Sequence, residues 1–307
     1  MNNEKPTENQ NPATKSERIN WYPGHMVRAL RGVQKKIKSV DLVLEIRDAR
    51  APLASGNQTF HNLLGQKSKL VVLNKSRLAE PNNIKLWQEW FLNSEMPLVE
   101  VDAFEPTCAR KIKDAANKLM QKKWLSFKKK GIKPPPMRMM IIGIPNTGKS
   151  TLINRLTKRS ATRTGDRPGV TRGQEWIVLG KNLELLDTPG IMPPRIDSEQ
   201  QGLWLCAIHA IRDEIVGKEK VANFVLEIVA SKNPSMVQKR YHLEQIHSDI
   251  DDLIHQIGRN MNYLKKKGDI DISKTCGQIL HDFRSGTLGP CSFETPPIPP
   301  DRSNSQI

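Results

Sequence analysis

Two short stretches of the chain combine residue types and spacing that suit phosphate-transfer chemistry. Gly143-Ile-Pro-Asn-Thr-Gly-Lys-Ser150 fits the pattern G-x-x-x-x-G-K-[ST]. In such a loop the glycines let backbone N–H groups wrap a β-phosphate, assisted by the N-terminus of the helix that follows. Lys149 supplies charge to the β- and γ-phosphates, and Ser150 is the expected Mg2+ ligand. Asn146, Thr147, Gly148 and Thr151 complete the expected nucleotide-contacting set. Asp187-Thr-Pro-Gly190 fits the other half of the same site. An aspartate at a strand end can hold a magnesium-bound water, and the Gly190 N–H can meet the γ-phosphate. Between the two motifs, "RPGVTRG" (Arg167 to Gly173) holds Thr171. It is the candidate switch threonine, ligating Mg2+ with triphosphate bound; an ordinary Pro-Gly turn is the alternative.

A third stretch starts to read a base and does not finish. "VVLNKSRLAE" (Val71 to Glu80) is an apolar run ending in Asn74-Lys75, the place where GTP-binding proteins begin base recognition. The aspartate normally two positions after the lysine is replaced by Arg77. Arginine has only donors and a positive charge, so it cannot accept from guanine's N1–H and exocyclic amine. Three readings stay open: GTP bound through Asn74, Lys75 and backbone groups with weaker discrimination; other purine nucleotides accepted; or a degenerate nucleotide site on an RNA-binding scaffold.

Strands and helices must bring these loops together. "DLVLEIRDAR" (Asp41 to Arg50), ending in a polar loop, "KLVVLNK" (Lys69 to Lys75) and "PLVEVDA" (Pro97 to Ala103) read as buried strands. They alternate with helical patterns at Val27 to Lys38, Asn82 to Asn93 and Ala109 to Leu125. "MRMMIIG" (Met137 to Gly143) and "NLELL" (Asn182 to Leu186) are further strands, and "STLINRL" after the phosphate loop is a helix. This alternation predicts an α/β fold, a mainly parallel sheet with helices on both faces. "KKKGIKPPP" (Lys128 to Pro136) can be neither central strand nor helix and reads as an extended linker. From about residue 200 the pattern turns helical, including "YHLEQIHSDIDDLIHQIGRNMNYLKKK" (Tyr241 to Lys267). The expected division is a disordered tail over 1–18 and a nucleotide domain over 19–200. That domain has its base-binding part at 40–125, a linker at 126–136 and its phosphate-binding part at 137–200. A small all-helical C-terminal domain over 201–290, whose basic segments make it the candidate RNA-binding part, and a disordered tail over 291–307 complete it.

Charge points to the partner. Forty-eight Lys plus Arg against 32 Asp plus Glu leave +16, a surplus that predicts an anionic partner, most often nucleic acid. A basic but merely solvated surface is the alternative. No apolar run approaches the roughly 18 residues of a membrane span, and the N-terminus lacks an apolar signal core, so a cytoplasmic chain with no membrane partner is expected. Cys108, Cys206, Cys276 and Cys291 have neither metal-site nor disulfide spacing.

Asn74-Lys75 precedes Gly143, the reverse of the order in ordinary small GTPases. With that order, the chain resembles the circularly permuted GTPases, and within them the RbgA/YlqF family of ribosome-assembly GTPases. The pieces are "WYPGHM" (Trp21 to Met26), "IRDARAPL" (Ile46 to Leu53), "NKSRL", "GIPNTGKSTLINRL", "RPGVTRG", "DTPGIMPPR" and "HDFRSGTLG" (His281 to Gly289). The resemblance implies a circularly permuted P-loop GTPase domain that uses GTP/GDP and Mg2+. It further implies binding to the precursor of the large (50S) ribosomal subunit, its rRNA and ribosomal proteins, late in maturation, with release on hydrolysis. A monomer is expected. Ras-like enzymes orient water with a glutamine after the DxxG glycine; Ile191 stands there and can neither donate nor accept. The resemblance gives that role to His25, with a turn-capping histidine as the alternative. It also places a potassium ion at Asn146, against a simple loop asparagine. Asp102 and Ala103 lie where the family's second base-contacting loop falls. Asp102 is a candidate substitute carboxylate or a turn residue.

Overall fold

The structure is a computed structural model and describes residues 19–20, 24–57, 60, 63–157, 176–179, 182–193 and 195–297. The expected tail over 1–18, Thr171 and the end of the chain from 298 lie outside the described residues.

A two-residue strand β1 (Ile19–Asn20) and helix α1 (Gly24–Lys36) precede strands β2 (Leu42–Asp48) and β3 (Ser68–Asn74). Helix α2 (Pro81–Asn93), strand β4 (Leu98–Glu100), helix α3 (Cys108–Lys129), strand β5 (Met137–Ile142) and helix α4 (Lys149–Thr157) follow. Strands β6 (Trp176–Val178), β7 (Leu183–Leu186) and β8 (Arg195–Ile196) lead into the helical region, α5 (Glu199–Ala207), α6 (Lys218–Lys232), α7 (Pro234–Tyr241), α8 (Ile250–Asn260) and α9 (Ile272–Ser285).

Among the described residues the main sheet has six strands in the order β4-β3-β2-β5-β7-β6. All neighbours are parallel except the edge pair β6–β7. The strands read as apolar runs because helices cover both faces. Side chains alternate between faces: Leu44, Ile46, Leu70, Val72, Met139 and Ile141 pack with α3 and α4, whereas Val43, Met140 and Ile142 pack with Val33 of α1. On that second face Val71 and Leu73 meet Trp87 and Phe91 of α2. β2, at the centre, is buried along its whole length despite three charged residues, Glu45, Arg47 and Asp48. Glu45 and Arg47 share one face two residues apart, and Arg47 Nε donates to Glu45 Oε1 at 2.9 Å. Because the central β5 is late in the chain and its neighbours β2 and β3 early, the sheet is permuted as the motif order predicts.

Three expectations change. α3 continues to Lys129, so 126–129 is helix and the chain leaves it only at Lys130, ahead of the prolines. Its last turns carry no helix breaker until Gly131, which adopts φ +67°. The stretch Tyr241 to Lys267 is broken: His242 turns left-handed at φ 53° and ends α7. Asp249 restarts the chain by accepting from Asp252 N–H at 2.9 Å, and the amide of Asn260 donates to the Tyr241 and His242 carbonyls. Finally, the segment after Pro290 is no disordered tail up to Pro297. Cys291 N–H donates to the Leu78 carbonyl and Phe293 N–H to that of Arg50, at 2.9 and 2.8 Å. Glu294 accepts from Leu53 and Ala54 N–H at 2.7 and 2.8 Å.

α5 to α9 enclose their own core of residues such as Leu205, Val225, Val229, Leu253, Ile257 and Ile279. Met26, Ala51, Ala54 and Ile144 of the sheet half join it, so the two halves share one apolar seam. No helix among the described residues is long and apolar enough to cross a membrane.

Candidate nucleotide site

Residues Asp48 and Asn74 are register partners at the ends of neighbouring parallel strands. The loops after β3, β4, β5 and β7 therefore converge at one edge of the sheet, the crevice where open α/β sheets hold ligands. The loop after β5 needs both its glycines. Gly143 has φ 153°, and an added Cβ would come 2.5 Å from the Ile46 carbonyl oxygen; Gly148 has φ 92°, and its Cβ would meet Asn74 Nδ2 at 2.2 Å. Close approach of the base-reading asparagine is thus built into the phosphate loop. Asn74 Nδ2 donates to the Thr147 carbonyl at 2.8 Å, while its Oδ1 accepts from Ala103 N–H at 3.0 Å. Lys75, left-handed at φ 60°, donates from Nζ to the Asn146 carbonyl at 2.6 Å. Residues some 70 positions apart in sequence are knitted into one site.

Lys149 opens α4 and is buried, its Nζ donating to the Ile144 carbonyl at 2.7 Å. Burial pushes its ammonium down to about 8, against the attraction of Asp187 and with Lys75 adding to the effect. Ser150 and Thr151 follow on the same first turn. Asp187 ends β7; burial pushes its carboxyl up to about 6, with Lys149 and the Thr188 N–H opposing. Its Oδ1 is buried without a hydrogen-bond partner. An orphaned carboxylate oxygen beside a buried lysine and a helix N-terminus fits a hard cation with oxygen ligands. No group of three or more His, Cys, Asp or Glu among the described residues could hold a metal by itself. Gly190 lies so close to the loop that a Cβ would come 2.9 Å from Pro145 N and 3.1 Å from Lys149 Nζ. Ile191 is fully buried; its N–H donates to Gly143 O at 3.2 Å, and its carbonyl accepts from Asn57 Nδ2 at 2.9 Å. It is a core residue, unable to reach a water.

His25 falls in the first turn of α1, with its side chain outside the described part of the structure; Thr171 and the switch arginines Arg163, Arg167 and Arg172 lie outside the described residues altogether. Asn146, at φ 58°, uses its amide on the His209 carbonyl at 2.6 Å, so a cation there would be met by its side-chain oxygen. In the helical region Lys265 to Lys267 form an exposed basic cluster, whereas Arg240 is paired with Asp282 at 2.8 Å.

Two features escape sequence reading. Arg77 Nε lies 3.1 Å from Asp102 Oδ2, and its guanidinium sits over Phe104 with 5.6 Å to the ring centroid. Asp102 Oδ1 accepts from Phe104 N–H at 2.9 Å. Behind Lys75, Asp48 takes Lys75 Nζ at 3.0 Å and Arg50 in a two-pronged pair at 2.9 Å each. Burial raises the Asp48 carboxyl, but Arg50 and Lys75 outweigh it and hold the group well below the usual range. Burial also lowers Lys75, opposed by Asp48 and reinforced by Arg50. The Arg50 guanidinium lies over Phe283 of α9, 5.1 Å from the centroid. The only sequence signal was position: Asp48 closes an apolar run, just as Asn74 does.

Comparison with known proteins agrees with this geometry. Residues 138–266 match the family described as "50S ribosome-binding GTPase". "Ribosome biogenesis GTPase A" of Bacillus licheniformis is 41% identical over 278 residues, 91% of this chain and 98% of the relative. "Mitochondrial ribosome-associated GTPase 1" of Mus musculus is 31% identical, covering 91% of each chain. Among solved structures, GNP-bound YlqF from Thermotoga maritima superposes with a TM-score of 0.63 at 26% identity, over 87% of this chain and 98% of that one. The chain therefore belongs to the ribosome biogenesis GTPase A (RbgA/YlqF) family of circularly permuted GTPases.

Proposed function

We propose that this GTPase acts in the cytoplasm in late maturation of the large ribosomal subunit, binding precursor rRNA and leaving when GTP is hydrolysed. One observation carries the reading: Asn74 and Lys75 are hydrogen-bonded to the backbone of the phosphate loop, while Asp187 keeps an unpartnered oxygen next to Lys149. Base, phosphate and metal functions thus meet at one edge. Ser150, Thr171 and Asp187 would hold Mg2+, which when bound neutralises charge on the β- and γ-phosphates. Lys149 leaves the Ile144 carbonyl for the phosphates, and the Gly190 N–H reaches the γ-phosphate. Water is oriented from α1, by His25, since Ile191 is locked in the core. The Asn146 amide on His209 supports coupling between the phosphate loop and the helical region, a route by which hydrolysis alters ribosome binding.

Steady-state hydrolysis with and without purified large subunits tests this. Lys149→Ala should lower kcat by roughly a hundredfold or more; undiminished turnover would remove the assigned site. The rival reading, an rRNA scaffold indifferent to nucleotide, is favoured by Arg77 alone. It predicts equal subunit binding with GTP, GDP or neither.

A further inference from the structure

We infer that the base edge of this site is read by an ion pair, Arg77 held on Asp102, and that this pair favours a purine with oxygen at C2, a xanthine nucleotide, over guanine. The inference rests on the nucleotide-site reading above. Arg77 stands two residues after Lys75, where a carboxylate would face N1 and the C2 substituent of the base. Guanine presents donors at both positions. A guanidinium there sets donor against donor and leaves them unpaired.

The nearby carboxylate does not take over. Asp102 is buried, its side chain only 2% exposed, with Oδ1 on Phe104 N–H and Oδ2 facing Arg77 Nε. The side chain of Arg77 is half exposed and covers it. One face of the guanidinium is covered by Phe104, 5.6 Å from the ring centroid, and Gly286 is a neighbour of Nη1. The loop carrying Asp102 is pinned by Arg155, which donates to the Ala103 and Phe104 carbonyls at 2.8 and 2.9 Å. What the pocket offers is therefore a positioned, partly neutralised fork of donors.

Xanthine differs from guanine by replacing the 2-amino group with a carbonyl, an acceptor that such a fork can satisfy. Its ring also loses a proton readily near neutral pH, and the resulting anion suits an arginine. Adenine has neither the oxygen nor the charge. Contacts from Asn74, Lys75 and the phosphate loop are common to all purines, so GTP still binds and is hydrolysed, without the extra selection a carboxylate gives.

Competitive titration of the full-length protein with XDP, GDP and ADP in magnesium tests this. The native chain should bind XDP about tenfold more tightly than GDP, and ADP more weakly than XDP. A reversing variant must avoid two facing carboxylates, so Arg77→Asp is combined with Asp102→Asn; it should prefer GDP over XDP by about tenfold. If that double variant fails to fold, Arg77→Gln alone should bring XDP and GDP within about threefold of each other. A native preference for GDP, equal affinity for all three nucleotides, or ADP matching XDP overturns the inference and leaves the GTPase reading intact. Lys149→Ala separates the two: if it leaves every affinity unchanged, the site assignment itself falls.

Discussion

Among single residues, Asp48 shows how function and stability share one carboxylate. It is fully buried between Arg50 and Lys75. Asp48→Asn removes the counter-charge of the buried Arg50 and the partly buried Lys75, a change that costs about 3–5 kcal/mol. The pH sign follows from its depressed proton affinity in the folded state. Its contribution is complete above the ordinary aspartate range and is lost as pH falls below about 4. Denaturant titrations at neutral and acid pH should find the variant weaker at pH 7, and the gap to the native protein should narrow in acid. A constant gap would contradict the assignment. The same residue marks the limit of sequence reading. Lys149, Asn74 and Asp187 were legible because phosphate chemistry demands their types at a set spacing. Asp48 and Arg50 read as a polar loop, because a buried ion pair cannot be distinguished from solvated charges until the strand's place in the sheet is known.

At the scale of elements, the five parallel strands and most helices were legible from their apolar pattern, and the phosphate loop from its glycines; the short strands β1, β6 and β8 were not. The segment Cys291–Pro297 was not. Its composition resembles a solvated tail, while its bonds go to partners more than 200 residues away, beyond any local pattern. The Glu294 carboxylate caps the Leu53 and Ala54 N–H groups, and its carbonyl accepts from Asn83 Nδ2 at 2.7 Å and Trp87 Nε1 at 3.3 Å. Glu294→Ala strands the buried Ala54 N–H and removes the partner of the Leu53 N–H, and should lower stability by about 1–3 kcal/mol, measured by thermal or denaturant melts. An unchanged melt would mean that water replaces the carboxylate there.

For the whole molecule the charge of +16 sets the behaviour toward a ribosomal particle. If the protein neutralises about six phosphates, its affinity should fall roughly a thousandfold between 50 and 200 mM salt. Sedimentation of the protein with large-subunit precursors across that range measures it, and a flat response would assign the contact to protein surfaces. Permutation has a separate effect, on birth of the fold. β2 leaves the ribosome with one edge that only β5, made much later, can cover. Open strand edges in a nascent chain invite mispairing. Phe293 and Glu294, made much later still, close onto the early loop Arg50–Ala54. A chain made only as far as β3 therefore carries Asn74 and Lys75 without the phosphate loop or Asp187, and cannot yet hold a nucleotide between them.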